Sequence, residues 1–491
     1  MEAAAAERSG TGGEAPIAPP TPFDTNPIAR LVRDIRNERS NNEPYPPGLR
    51  DFNLPRTMRM ARDPLPILLD CYERFGPVFS LRLLHQQQVW VLGPEANHHV
   101  LVSNARNFHW RDGGFGELIP LLGDGLLTID GDYHRRARRI MLPAFHREHL
   151  AGVADTMVAE AERALADWRP GEVVDVYHWA RNLAMRIAMR GLLGLDPDDG
   201  DTGGRAAAEF ERALSYYGVD YALRLLRGPG SPWRKMLDAR AELDRIVYAE
   251  IDRRRRSGDL GEGDILGMLL AATDEDGSAL SDSEVRDQAM TLLFAGHDTS
   301  TSTISFLLYE LARHPRELSA LQEEQDRLLG GRAPAAADLA GGMERLEMVI
   351  DETLRLYPPA WLGPRRSVEG CEVAGVRIPA GTYVIYCSWA SHRLPEVFPD
   401  PEVFAPERFT PERKAALPKG AYVPFGGGSR TCIGMRFGQM EIRAVTTLLL
   451  QRFRLELAPG RTMSVRQMPT LSPRGGLEMV VRERDSVLSV A

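Results

Sequence analysis

The stretch 281–315 constrains the fold more than any other part of this chain. Ser281 and Glu284 stand at capping-box spacing, apolar residues recur through Leu292, Leu293 and Phe294, and Pro315 closes the run. A helix of about 30 residues at ~1.5 Å per residue is roughly 45 Å long, enough to cross a whole domain. Such a helix is the expected spine of a large, mainly α-helical fold.

The chain has 491 residues of ordinary globular composition, so it can enclose a large ligand. Domain-size priors allow about two to four units, yet no linker-like break interrupts the middle, and one large mixed domain is permitted. A net charge of -8 argues against a general nucleic-acid binder. The four cysteines, Cys71, Cys371, Cys387 and Cys432, are widely spread with no paired spacing. Neither a disulfide framework nor a zinc site is indicated, and a reducing cytoplasmic location is expected. Residues 1–25, rich in Ala, Gly, Pro and Glu, read as a disordered tail with neither a secretory signal nor the ~20 apolar residues of a membrane span.

Tyr45, Pro46, Pro47 and Gly48 mark a turn, and the β-rich runs 78–83 and 88–92 read as a hairpin. Residues 103–356 are dominated by helical periodicity, broken by polar turns at 196–204 and 257–264. Short strands are expected at 376–378 and 382–387. Prolines 395, 399, 401, 406, 411, 418 and 424 then exclude regular structure, before one helix over 435–453. No internal repeat is visible, which argues against solenoids and propellers.

Cys432 lies in Phe425-Gly426-Gly427-Gly428-Ser429-Arg430-Thr431-Cys432-Ile433-Gly434, a glycine-rich turn at the start of that last helix. Helix N–H groups and the positive end of the dipole favour a sulfur anion there. The glycines let backbone approach a large flat cofactor. A lone cysteine is more often a small buried hydrophobe, and a glycine run alone could cradle phosphate, but the lysine of a phosphate loop is missing. In the spine lies Ala295-Gly296-His297-Asp298-Thr299, an acid and an alcohol where helix propensity prefers Leu or Ala. A mid-helix threonine can turn its hydroxyl back to the carbonyl four residues earlier, here Ala295, and open a groove. A groove with a hydroxyl and a carboxylate beside a metal is a proton route; a solvated polar turn is the plainer reading.

These segments resemble the haem-binding loop and the central-helix motif of the cytochrome P450 family, the haem-thiolate monooxygenases. The resemblance runs from about Glu43 to Arg484, with the motifs in the family's order. It implies a single triangular domain over 26–491, mainly α with smaller β portions at about 45–95 and 365–390. It makes Cys432 the axial ligand of haem b (iron protoporphyrin IX), with Phe425, Gly428, Gly434, Ala295 and Gly296 beside the cofactor. It gives Asp298 and Thr299 the support of oxygen activation. The absence of an N-terminal anchor points to the soluble, bacterial type, and a monomer is expected.

Glu352 and Arg355 share a helical face roughly opposite the apolar stripe of Leu346, Val349, Ile350, Thr353 and Leu354. On spacing alone they read as a surface ion pair worth about 0 to 1 kcal/mol. The resemblance implies instead a mostly buried structural set, completed by Arg408 of Pro406-Glu407-Arg408-Phe409, that fixes the Cys432 loop. His134, Arg138, Arg365 and Arg430 match positions that contact the haem propionates, although many members have Trp where this chain has His134. Phe115, Leu118, Phe294, Ala295, Trp361, Leu362, Thr470 and Leu471 correspond to pocket-lining regions. They suggest an apolar fatty acid, terpenoid, steroid or aromatic substrate. Arg135, Arg136, Arg139, Arg436 and Arg443 could form a basic patch for an acidic ferredoxin or flavodoxin-like electron donor, or be an ordinary solvated helix face. The chain has no nucleotide-binding motif for a fused reductase.

The implied reaction inserts one atom of O2 into the substrate, the other being reduced to water; thiolate donation to haem iron favours O–O cleavage. Two alternatives share Cys432: a peroxide-dependent peroxygenase, which would not need Asp298 and Thr299, and a non-catalytic haem sensor, which would need no electron donor.

Overall fold

A computed structural model describes residues 19–219, 221–261, 263–274 and 277–484. Eight helices frame the site: α1 (Gly131–Met141), α2 (Arg147–Leu165), α3 (Val176–Leu193), α4 (Gly203–Gly218), α5 (Pro232–Ser257), α6 (Asp282–Arg313), α7 (Glu344–Leu356) and α8 (Met435–Arg452). The spine is α6, 32 residues or about 48 Å. Both halves of its capping box form: the Ser281 hydroxyl accepts from the Glu284 N–H at 3.3 Å and the Glu284 carboxylate accepts from the Ser281 N–H at 2.8 Å. From Val285 to Leu311 the helix is buried on nearly every face. It packs against α3 and α8, and α2 packs against both of those, so the main core is a helix bundle built around the spine.

Strands β1 (Gly48–Leu49), β2 (Val78–Leu83), β3 (Gln86–Val91), β4 (Phe108–His109), β5 (Leu362–Ser367) and β6 (Tyr383–Cys387) form a sheet of order β1-β2-β3-β6-β5-β4. The expected hairpin is present as β2 and β3, but β3 starts at Gln86 because Leu83 pairs with Gln86 across a two-residue turn with Leu84 at φ 51°. The sequence Leu-Gly-Pro-Arg-Arg-Ser has little strand propensity, and β5 forms because β6 and β4 flank it on both sides. Its alternation turns Arg365 to the buried face. A smaller sheet joins Phe453–Leu457, Glu478–Glu483 and Val173–Asp175.

Two expectations are corrected. The proline-rich stretch is not free of helix, because Pro411–Ala416 forms a short one with Pro411 in the first turn, where its missing N–H costs nothing. Of the expected tail, residues 1–18 lie outside the described residues, whereas 19–25 are tied down: Arg111 donates to the Thr21 carbonyl at 2.7 and 3.1 Å, and Arg30 lies over the Phe23 ring. Ser281→Ala should lower stability by about 1 kcal/mol, read from the urea midpoint at unchanged m-value, since it removes the hydroxyl half of the cap on the spine.

Candidate active site

The glycine-rich loop closes on itself, the Cys432 N–H donating to the Phe425 carbonyl at 2.9 Å. Gly426 and Gly428 have φ of 70° and 61°. A Cβ on Gly428 would stand 2.5 Å from the Leu101 carbonyl oxygen, so only glycine fits against that neighbouring backbone. Gly434 caps α8, and a Cβ there would meet nothing within 4 Å. Cys71, Cys371 and Cys387 are buried, whereas Cys432 is exposed. Its sulfur nevertheless has enough protein around it to be partly desolvated. That enclosure raises the thiol's pKa, against the Gly434 N–H and Arg138, which lower it. The helix terminus alone therefore does not hold a thiolate, and a bound metal ion is what would deprotonate this sulfur.

Within the buried spine, Phe294, Ala295, Gly296 and Thr299 are partly exposed, and they mark a groove. The Thr299 hydroxyl donates to the Ala295 carbonyl at 2.8 Å, the geometry anticipated from the sequence. Asp298 is buried and pairs with Arg181 of α3 rather than with Thr299. Its second oxygen has no hydrogen-bond partner among the described residues.

His134 and Arg138 of α1, Arg365 of β5 and Arg430 of the loop come together. The electrostatic influence of Arg430 and Arg138 on His134, and of Arg365 and Arg138 on Arg430, reflects this proximity. Burial, assisted by Arg430 and Arg138, pushes the His134 pKa down to about 3, so its ring is neutral. Burial likewise lowers Arg365 and Arg430 to about 10, and both remain cations near neutral pH. Asp130 pairs with Arg430 at 2.6 Å and accepts the backbone N–H groups of Trp110 and Arg111. The Arg365 guanidinium lies 3.7 Å from the Trp110 ring centroid and donates to the Pro364 carbonyl. Among the described residues no carboxylate pairs with Arg138 or Arg365. Three guanidinium cations thus face one carboxylate, an excess of two charges that suits a ligand carrying two carboxylates. The residues fit the propionate end of haem. Sequence reasoning missed Trp110 and Asp130; Asp130 stands just before α1, a helix-start position that could have drawn notice.

Glu352 and Arg355 are both fully buried, not on the surface. Two hydrogen bonds of 2.7 Å join them, and Arg355 also donates to the carbonyls of His392, Pro401 and Val403. Glu352 Oε1 accepts the Ala405 N–H at 2.8 Å and lies 3.4 Å from Arg408 Nε. His392, which the sequence did not single out, relays this network: its Nε2 accepts the Val423 N–H, and the Val423 carbonyl accepts the Gly426 N–H. The path ends in the loop that carries Cys432. Glu441 of α8 was also missed. It is buried, accepts the Ser300 hydroxyl at 2.6 Å, and burial pushes its pKa up to about 8.

Phe115, Leu118, Leu362 and Thr470 are partly exposed. Trp361 and Leu471 are buried in a hydrophobic cluster. The Trp361 indole donates to the Gln467 carbonyl and meets Trp389 edge-on, and Leu471 has no exposed surface. The anticipated basic patch is also reduced, because most of its charges have internal partners. Arg135 pairs with Asp132, Arg136 with Glu284, Arg139 with Asp274, and the buried Arg443 with Glu347. No helix among the described residues is long and apolar enough to cross a membrane.

The cytochrome P450 family model matches residues 52–479. The chain belongs to the cytochrome P450 family. It is 36% identical to cyclooctatin synthase of Streptomyces melanosporofaciens over 433 residues, covering 87% of this chain and 92% of that one. It is 35% identical to cyclooctat-9-en-7-ol 5-monooxygenase of the same organism, covering 88% and 94%. The crystal structure of the cytochrome P450DA haem domain superposes with a TM-score of 0.81 at 27% identity, covering 90% and 98%. Retinoic-acid-bound cyanobacterial CYP120A1 gives 0.79 at 30%, covering 90% and 100%. The helix-dominated α+β architecture is that of a P450, and the chemistry is that of a haem-thiolate monooxygenase.

Arg355→Ala should cost about 3–5 kcal/mol, because it strands the buried Glu352 carboxylate. Denaturation of the variant, with its haem content per chain, checks both the stability and the hold on the Cys432 loop; normal haem content would separate that loop from the network.

Proposed function

We propose that Cys432 would ligate the iron of haem b, that Arg138, Arg365, Arg430 and the neutral His134 would hold its two propionates, and that Asp298 and Thr299 manage protons at the spine groove. The two-charge excess of the arginine cluster beside the one exposed cysteine carries this reading. When bound, a thiolate-ligated haem supplies the electron donation that favours O–O cleavage and hence oxygen insertion. The chain's own contributions are positional. Partly exposed Phe294, Ala295 and Gly296 give the substrate an apolar wall and exclude water. The back-bonded Thr299 presents its hydroxyl at that wall. Asp298, with one oxygen on Arg181 and one without a partner, can take and release a proton next to Thr299.

The substrate we infer is a largely hydrocarbon molecule of the terpenoid type. The relatives support this class: one is named for an alkene alcohol, cyclooctat-9-en-7-ol, and a solved neighbour holds retinoic acid. The electrons come from a separate ferredoxin or flavodoxin-like protein. Since four of the five anticipated patch arginines have carboxylate partners, exposed Arg436 is the patch residue best placed to meet an acidic donor.

Titration of the ferric protein with polyenes and cyclic terpenes should shift its Soret band; no response to any of them would remove the substrate class. Thr299→Ala should consume NAD(P)H through a ferredoxin chain while yielding several-fold less product per electron pair. Unchanged coupling would remove Thr299 from the mechanism, and full turnover with hydrogen peroxide alone would favour a peroxygenase.

A further inference from the structure

His297 stands between two acids with neither ring nitrogen in an aligned hydrogen bond to a side chain. It is fully buried. Its Nε2 lies 3.2 Å from Glu211 Oε1 of α4, and its Nδ1 lies 3.4 Å from Asp298 Oδ1. Arg181 of α3 spans the same two acids, donating to both Glu211 oxygens at 2.8 and 3.0 Å and to Asp298. Tyr177 lies beyond Arg181 at 3.3 Å, and the edge of Phe210 closes the side of the ring. Of the two acids only Glu211 reaches solvent, with 39% of its side chain exposed against 5% for Asp298.

We propose that Glu211 and His297 form a proton inlet that ends on the Asp298 carboxylate. The inference rests on Asp298 serving the spine groove, as proposed above. Each passage moves one proton and no electrons. The O–H bond of a protonated Glu211 breaks as an H–Nε2 bond forms, and the Nδ1–H bond breaks as an O–H bond forms on Asp298. The passage leaves the ring with its proton on Nε2, and exchange of the ring protons with solvent, which reaches the site at Glu211, returns the proton to Nδ1 before the next passage.

A purely structural histidine looks different in this same protein. His392, equally buried, spends Nε2 on the Val423 N–H and Nδ1 on no carboxylate. Charge also favours transit. With His297 neutral, the Glu211, Asp298 and Arg181 set carries one net negative charge, so an arriving proton neutralises it. Burial lowers the His297 pKa, opposed by Asp298 and Glu211 and reinforced by Arg181, so the ring passes a proton on rather than storing it. Glu211 and His297 are positioning residues, since they act only through Asp298.

The test compares Glu211→Gln, His297→Gln, the double variant and Asp298→Asn as haem-loaded full chains. The readouts are the substrate-induced spectral shift, turnover, coupling and the solvent deuterium isotope effect on turnover. Glu211→Gln and His297→Gln should each leave the spectral shift intact, raise the isotope effect and lower turnover, by up to the ~100-fold a positioned proton-transfer group contributes. The double variant should be no worse than the poorer single, as expected for two members of one path. A wild-type isotope effect in either single variant, or strictly additive losses in the double, would overturn the inlet. Should His297→Gln not fold, partly exposed Glu211→Gln decides alone. If Asp298→Asn also behaves as wild type, the role of Asp298 itself falls; if it alone is impaired, only the inlet does.

Discussion

The buried pair of Glu352 and Arg355 ties together the segments that lead to the loop carrying Cys432. Two charges taken out of water cost several kcal/mol each, and their attraction repays this only when the remaining donors and lone pairs are filled. Here those groups are filled by chain far away in sequence: carbonyls at 392, 401 and 403 and the N–H of residue 405. The segment that supplies them is rich in proline and has few ladder hydrogen bonds of its own. It therefore takes its shape from the pair, and through His392 it passes that shape to the loop that ends in Cys432.

The spine makes the opposite bargain. A fully buried helix would be most stable with Leu and Ala throughout, yet α6 carries hydroxyls at Thr299, Thr301, Thr303 and Ser305, each bonded to a carbonyl four residues back. Such back-bonding satisfies the hydroxyls at a small cost in helix regularity. The cost is tolerable because α3 and α8 hold the helix from both sides, and Ser300 is anchored to Glu441 across the α8 interface. Local weakness thus runs from Ala295 to Ser305, and its first turn borders the groove.

What the sequence revealed depended on whether the signal was local. The spine, its cap, the glycine loop and the Thr299 back-bond follow from residues a few positions apart, and all were legible. The hairpin was legible but began two residues early, because polar Gln86 and Gln87 carry no strand signature. Strand β5 was not legible, since its partners rather than its residues make it a strand. Glu352 and Arg355 show the limit most clearly. Helical phase put them opposite the apolar stripe, which normally means solvent, but that face is covered by a segment some 50 residues later. Only the family resemblance, not periodicity, suggested burial. The same holds for Trp361 and Leu471, whose burial is set by neighbours distant in sequence. It holds too for the basic patch, where the acids that pair with Arg136 and Arg139 lie more than 130 residues away.

The arginine cluster carries two positive charges more than its single carboxylate balances. Arg138, Arg365 and Arg430 sit where burial penalises charge, as the lowered values of Arg365 and Arg430 reflect. Asp130 compensates one of them, and Trp110 offers its face to Arg365 and, at 4.9 Å, to Arg430 without supplying charge. A second protein carboxylate would complete the pairing and stabilise the folded chain, but it would also remove the electrostatic reason for a dicarboxylate to bind. The cation excess therefore places part of the protein's stability in its ligand, because anything that binds only the folded state adds to its stability by mass action. The same excess lies close enough to Cys432 for Arg138 to lower that thiol's pKa, so the forces that seat the carboxylates also favour the sulfur anion. On the proposed reading, carboxylate recognition and thiolate ligation are one electrostatic problem, met by three arginines and a single aspartate.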